Sequence, residues 1–574
     1  MSRLPNRSAM LGAANLLAAL SQRIAVWRSQ RRTSPAWTLA VALIVAVMAL
    51  PVATVLVLAV GAKAGALSHL ASTILAATLR DTFLVLTGVG CLTLVVGTVT
   101  AWLVTMYRFP LHALVDRLLV LPLAVPTYII AYAYAELLDY AGPVQGAVRS
   151  LFGFQSARDY WFFDIRSTSG AIFVLSSVLY PYVYLAARAS FTQQSVCALE
   201  VARTLGRTEF GAFRSVALPL ARPALVAGVA LVLMESLNDL AAMQYLGVQT
   251  LSAAIYATWL QRSNLGGAAQ IAAVLIVIVA LLFAAERRAR GRSRFHHTTG
   301  RYQAIPFAIL GGTRAWAALT VCLLPFVLGF LLPTLILAGN AWRHAEVALA
   351  GGFWRAAGNS LVLAAVAAAT AVAAGLLLAY ARRIAANGFV RPAVRIAGLG
   401  YALPGTVLAL GLLIPLAALD NRIDAATREA FGLSTGLVLS GTIFALVLAY
   451  TIRFLAVSLG TIEAGLERVS PNLDAAARTL GETALSALWR VHLPLLMPAL
   501  GTAALLVFVD TMKELPATLL LRPFNFETLA THVYSFASLE QLEAASVGAL
   551  AIVAVGLVPV LLLHRAIAEG RAGS

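Results

Sequence analysis

The 574-residue chain is 60% hydrophobic and only 12% charged, with a mean hydropathy of +0.85, a balance that excludes an ordinary soluble domain and indicates a polytopic membrane protein. Its formal charge of +17 at pH 7 is spread between oily segments rather than gathered on one polar domain, which argues against nucleic-acid binding and for topology signals. Three scattered cysteines, Cys91, Cys197 and Cys322, have no metal-ligand spacing and imply no disulfide framework.

The chain opens with a basic cytoplasmic segment, residues 1–36, carrying Arg3, Arg7, Arg23, Arg28, Arg31 and Arg32. Residues 10–28 read as an amphipathic helix on the inner leaflet or as a basic tail. Twelve stretches approach or reach the roughly 20 apolar residues that cross a bilayer as a helix. Six lie in a first half, 37–285: Trp37–Gly61, Phe83–Met106, Leu118–Leu138, Gly170–Ala187, Arg222–Leu246 and Leu265–Ala285. A basic linker, 286–314, follows, in which His296 and His297 read as polar filler. The other six lie in a second half, 315–565: Ala315–Gly339, Asn359–Ala381, Ile396–Leu419, Ser434–Leu455, Pro498–Leu521 and Ser546–Leu563. The short tail 566–574 returns to the cytoplasm. The expected fold is all-α, with two six-helix halves entering the membrane in the same direction, both termini inside, and the repeats parallel rather than inverted.

The halves are related at the level of residues. Glu200-Val-Ala202-Arg-Thr-Leu-Gly206, closed by Val216-Ala-Leu218-Pro219, recurs 275 residues later as Ala475-Ala476-Ala-Arg-Thr-Leu-Gly481 and Val491-His-Leu493-Pro494. Each copy reads as a short helix stopped by a glycine, a second short helix, and a Leu-Pro where the chain turns back into the membrane. Pro126 and Pro404, 278 apart, break the third and ninth spans. A proline there kinks a helix and frees a carbonyl, so these two flank a central path or serve as structural kinks.

After each motif comes a span with carboxylates: Glu235 and Asp239 in the first half align at the same offset with Asp510 and Glu514 in the second, where Lys513 stands opposite Asn238. Four-residue spacing puts each pair on one helical face. Two readings stand. Charged residues near a bilayer centre face a bundle interior or water, so these acids line a path that favours cationic cargo. Alternatively they hydrogen-bond neighbouring helices, with Lys513 paired to Asp510 or Glu514. Tyr128, Tyr132, Tyr134, Tyr180, Tyr182 and Tyr184 enrich the third and fourth spans; they read as interface anchors before iron ligands. The external stretch Asp139–Ser169 is either a seat for a partner or an interfacial helix.

The pattern Glu-Ala-Ala, three residues, Gly, nine residues, Ile-x-Leu-Pro resembles the cytoplasmic loop of the membrane subunits of ATP-binding-cassette importers. The first copy agrees with it in spacing throughout; the second has Ala475 where the family's Glu stands, with Asp474 one residue earlier. The resemblance implies that Glu200, Ala202, Gly206, Leu218, Pro219, Ala475, Ala476, Gly481, Leu493 and Pro494 belong to coupling helices docked on two copies of an ATPase subunit. Met512 to Thr531 further resembles the fused permeases of the ferric-iron importer family, which implies iron delivered by a periplasmic binding protein. Permeases for thiamine and 2-aminoethylphosphonate share the fused layout. The chain's two lysines, Lys63 and Lys513, are followed by Ala64 and Glu514, so no phosphate loop is present. ATP and Mg are therefore expected on the partner, no catalytic site on this chain, and its metal ligands are unknown. The rival from another class is a proton-coupled secondary transporter, which also joins six-helix halves and uses intramembrane carboxylates.

Overall fold

The computed structural model describes residues 35–62, 71–193, 204, 206–290, 308–346, 352–384, 388–398 and 400–569. Apart from one two-residue parallel pairing, β1 (Tyr107–Arg108) with β2 (Ala308–Ile309), the regular elements described are helical. In the first half these are α1 (Pro35–Gly61), α2 (Ala76–Met106), α3 (His112–Leu118), α4 (Thr127–Leu138), α5 (Pro143–Phe152), α6 (Thr168–Gln193), α7 (Glu209–Ala212), α8 (Leu218–Asn238), α9 (Ala241–Tyr245), α10 (Leu251–Tyr256) and α11 (Leu265–Arg290). The second half has α12 (Gly312–Phe326), α13 (Leu332–Arg343), α14 (Phe353–Ile384), α15 (Val390–Ala397), α16 (Gly405–Phe431), α17 (Ile443–Glu467), α18 (Asn472–Thr479), α19 (Ala484–Ala487), α20 (Leu493–Met512), α21 (Pro516–Leu521), α22 (Leu529–Ser538) and α23 (Leu542–Glu569).

Among the described residues, eleven helices are long and apolar enough to cross a membrane, and a pair bent by 95°, His112–Ala124 with Thr127–Phe152, passes the same test when taken together, as a broken span or a re-entrant loop. The outward faces are apolar, as a lipid solvent requires: α1 leaves Leu39, Leu43, Val57 and Val60 exposed, and α12 and α13 expose Trp316 and Leu335.

Two compact units share these helices. The smaller gathers the described part of residues 1–50 with 368–401 and 450–507; the larger holds 51–367, 402–449 and 508–574. In the larger, α2, α6 and α8 pack side by side around a core that includes Val89, Val104, Ile130, Val183 and Val232. The first span of each half packs against the other half. At Pro51, α1 meets the backbone at Gly411 on α16, and Trp37 sets its ring edge-on to Tyr380 of α14, centroids 5.5 Å apart. Reciprocally, the π-turn between α12 and α13 lays Gly329 on the carbonyl of Ser177 and beside Pro122. A methyl at Gly411 or Gly329 would collide with those backbones, and small residues are what permit such approach between membrane helices.

Internal repetition extends to hydrogen bonds. The hydroxyl of Thr82 on α2 accepts from the Leu251 amide (3.1 Å), and that of Ser360 on α14 accepts from the Leu529 amide (2.7 Å), so each half seats its penultimate short helix on its second span.

Candidate coupling and translocation sites

The described parts of the two motifs share a left-handed glycine and a threonine-capped short helix. In the second copy α18 carries the exposed Ala475 and Ala476 and ends on Gly481, whose φ of +80° only glycine adopts without steric cost. The Glu482 amide then reaches back to the Ala477 carbonyl at 3.0 Å, the six-to-one bond of a Schellman stop. Thr483 caps α19 by accepting from the Ser486 amide at 3.2 Å. In the first copy Gly206 has φ +79°, and Thr208 caps α7 through the Gly211 amide at 3.1 Å. Glu200 and Ala202 lie outside the described residues. Each short helix is also tied to the end of its half's second span: the Tyr107 hydroxyl donates to Glu209 (2.8 Å), and that of Tyr380 donates to the Ala484 carbonyl (2.8 Å). The Glu482 carboxyl is held below the usual carboxylate range by a hydrogen bond from Ser486 and by Arg490, 3.0 Å away.

The expected turn at Leu218-Pro219 and Leu493-Pro494 is not there. Helix continues from Glu209 to Asn238 and from Ala484 to Met512. The reason is a single widened turn before each proline, Phe213–Ala217 and Leu488–His492. A proline lacks the amide that would bond four residues back, and its ring clashes with that carbonyl; a π-turn absorbs both defects without stopping the helix. Val327–Leu331 does the same before Leu332-Pro333. Each short helix is thus a rigid extension of a span.

The acidic spans also differ from expectation. Glu235 and Asp239 do not share one helical face, nor do Asp510 and Glu514, because α8 ends at Asn238 and α20 at Met512. The last acid of each pair starts the next helix instead. Asp239 accepts from the Ala242 amide (3.0 Å) and from the Thr127 hydroxyl, and Glu514 accepts from the amides of Ala517 (3.0 Å) and Thr518 (3.1 Å). Both are buried, and such amides need an acceptor inside a membrane. Lys513 pairs with Asp510 at 2.9 Å, and both are partly exposed. Glu235 is half-buried on α8.

Pro126 lies at the 95° break between His112–Ala124 and Thr127–Phe152, and Pro404 lies at the head of a span rather than within one. Each stands, with φ of −61° and −57° and an extended ψ, immediately before a helix that begins at Thr127 or Gly405. The first-half break reaches both starts: Asp239 bonds Thr127, and the Asn238 side chain accepts from the Gly405 amide at 2.8 Å. Sequence reasoning missed Thr127 and Asn238. Asn238 was visible only as the residue aligned with Lys513.

The tyrosines are not interface anchors, with Tyr182 only half-buried and the other five buried. Tyr134 donates to the Leu328 carbonyl (2.7 Å), and Tyr184 donates to Asp116 (2.6 Å), which also meets Arg188 at 2.5 Å. Tyr132 packs between Tyr128 and Tyr245, centroids 5.8 and 4.5 Å away. At the far end of that aromatic column the Arg166 guanidinium lies 5.0 Å from the Tyr245 ring and bridges Asp139 (2.8 Å) to Glu540 (3.1 Å). In the stretch Asp139–Ser169, Asp159 accepts from the backbone amides of Ser156 and Gln155 and from the Ser156 hydroxyl, which hold its carboxyl below the usual range. Among the described residues, no three His, Cys, Asp or Glu side chains converge as a metal site.

Comparison with known proteins agrees with this architecture. The family described as "Binding-protein-dependent transport system inner membrane component" matches twice, over residues 93–286 and 371–572, leaving the exchanged first spans outside both matches. The chain is 26% identical over 492 residues to the Fe(3+)-transport system permease protein FbpB 2 of Haemophilus influenzae, covering 85% of this chain and 89% of that one. It is 22% identical over 420 residues to the ferric transport system permease protein FbpB of Actinobacillus pleuropneumoniae, covering 70% of this chain and 58% of the relative. A shorter likeness, 30% over 207 residues, links it to the putative 2-aminoethylphosphonate transport system permease protein PhnU of Salmonella paratyphi A, with 36% of this chain and 70% of the relative covered. Two matched copies in one chain, on a helical fold of eleven candidate spans and one bent pair, make this protein a fused two-half permease belonging to the binding-protein-dependent transport system inner membrane component family.

Proposed function

We propose that the chain is the membrane subunit of an ATP-driven importer for ferric iron, fed from outside by a periplasmic binding protein. Both termini and both motifs lie in the cytoplasm, where two copies of an ATPase subunit, holding ATP and Mg, engage Gly206 to Pro219 and Ala475 to Pro494. The observation that carries the iron reading is coverage: the Fe(3+) permease of H. influenzae is matched over 89% of its length and 85% of this chain, whereas the aminoethylphosphonate relative reaches 36% of this chain.

In this reading, each α7 or α19 is a lever on a span. Because the π-turn keeps the helix unbroken, a push at Glu209 or Ala484 travels along α8 or α20 to the breaks at Asn238 and Met512. There the buried caps Asp239 and Glu514 set where α9 and α21 begin. Asp239 and Asn238 tie the first break to the starts of α4 and α16, after Pro126 and Pro404. Movement of α8 thereby shifts the helices beside the path. The partly exposed pair Asp510 and Lys513, with the half-buried Glu235, meets cargo in this reading. Caps engaged by backbone amides are poorly placed to relay protons, which weighs against the secondary-transporter reading.

The test is reconstitution of the permease with its ATPase and binding protein in proteoliposomes. ATP-dependent uptake of ferric iron, but not of thiamine or 2-aminoethylphosphonate, is expected. Uptake of aminoethylphosphonate alone would transfer the chain to the second reading, and proton-driven uptake without the ATPase would end both.

A further inference from the structure

The second motif is fastened to the bundle by a polar network that begins at Arg383. Arg383, at the end of α14, donates to three carbonyls beyond the end of α17 or at it: Leu466 (2.6 Å), Val469 (2.9 Å) and Ser470 (3.2 Å). Its Nε also donates to Asp474 Oδ2 at 2.7 Å. The other carboxylate oxygen, Oδ1, lies 2.6 Å from Nε2 of His492, which is fully buried on the π-turn leading into α20. The Tyr380 ring sits against that imidazole, centroids 5.2 Å apart, while its hydroxyl holds Ala484. One carboxylate therefore joins the end of α14, the α17–α18 turn, α18 and the base of α20.

A charge withdrawn from water is tolerable only when paired and fully hydrogen-bonded, and here every partner belongs to the permease. Guanidinium is suited to this, since its planar donors engage several oxygens at once. At the 275-residue offset, Leu199 and Ala217 occupy the places of Asp474 and His492, so the first copy has neither carboxylate nor imidazole at those positions. Leu480, Leu485 and Trp489 on the second element are 82%, 54% and 62% exposed. The acid at the head of the second motif faces inward, and these apolar side chains stand outward beside the exposed Arg478 and Arg490.

We propose that Arg383, Asp474 and His492 form an internal latch in the second half. It makes α18 and α19 move as one body with α14 and α20, and it leaves Leu480, Leu485 and Trp489, rather than an acid, as the contact offered to the ATPase. Asp474 and His492 are positioning residues: they act through the element they hold. The proposal rests on the coupling reading above.

The experiment measures iron uptake per ATP hydrolysed, and ATPase affinity, in proteoliposomes with the partner ATPase and binding protein. Asp474→Ala and His492→Ala are expected to lower the uptake-to-hydrolysis ratio several-fold and to speed amide exchange in α18. His492→Gln, which returns an N–H donor near the place of Nε2, is expected to restore most of the ratio. Should Asp474→Ala not assemble, Asp474→Asn and His492→Ala carry the same test. A wild-type ratio in those variants overturns the latch, as does failure of His492→Gln to improve on His492→Ala. If the wild-type permease itself shows no ATPase-dependent uptake, the coupling reading fails and the latch with it, an outcome distinct from normal coupling in a latch variant.

Discussion

Replacing Gly481 by Val tests the docking role of the motif through backbone geometry alone. The residue has φ +80°, and no atom lies within 4 Å of where a side chain would begin, so a new Cβ meets nothing. What it does meet is its own backbone: a left-handed conformation costs an L-residue about 1–2 kcal/mol, and a β-branched one in a strained region up to about 3 kcal/mol. At about 1.4 kcal/mol per tenfold, the turn joining α18 to α19 is disfavoured by roughly 5-fold to 140-fold. Any partner that binds only the native turn loses apparent affinity by at most that factor. Gly206, with φ +79° and equally open surroundings, should behave alike. The assay is ATPase binding together with coupled uptake in proteoliposomes, with detergent-extractable protein as the control for insertion, which should not change. Gly481→Asn, which tolerates the left-handed region, should recover much of the loss. Undiminished coupling in Gly481→Val would refute the docking role, and an equal loss in Val and Asn would refute the backbone reasoning.

Truncating Glu514 to Ala strips acceptors from two buried amides and should lower thermal stability in detergent by about 1–3 kcal/mol; Asp510→Ala, breaking a partly exposed pair, should cost at most about 1 kcal/mol. A larger loss from Asp510→Ala would contradict the capping role. Joining Cys at 166 to Cys at 540 with a short cross-linker should stop uptake while ATP hydrolysis continues, because the Arg166 bridge links segments of both sequence halves; unimpeded uptake would show that this end need not open. Asp159 has a depressed carboxyl pKa, so its ordering of residues 155–159 is present above the ordinary carboxylate value and is lost as pH falls through the lowered one. Amide exchange at Ser156 followed against pH should show that loss in the wild type and not in Asp159→Asn.

The spans were legible because hydropathy reports the transfer energy of a segment, which acts wherever the segment packs. Gly206 and Gly481 were legible for a similar reason, since a helix stop is local chemistry. The turn expected at Pro219 and Pro494 failed because a proline's cost depends on whether the preceding turn can widen, and nothing in the residues beside it says so. Asp239 and Glu514 looked like partners of Glu235 and Asp510 because four-residue spacing implies a shared face only while the helix lasts. At the first-half break the partners that hold Asp239 and Asn238, Thr127 and the Gly405 amide, lie more than a hundred residues away.

By itself, then, the amino-acid sequence determined the membrane class, the two halves, their 275-residue offset and the glycine turns of the repeated motif, all properties of short segments or of repetition. The tertiary structure alone decided which helix each span touches: that α1 lies on Tyr380 and Gly411 of the second half, and the α12–α13 turn on Ser177 of the first. Apolar helices in lipid have almost no hydrophobic preference among partners, so pairing falls to close contact at small residues and to a few polar bonds. Those contacts join residues far apart in the chain, and Asp474, which reads as a displaced motif acid, takes its meaning from Arg383 and His492 only once the fold has brought them together.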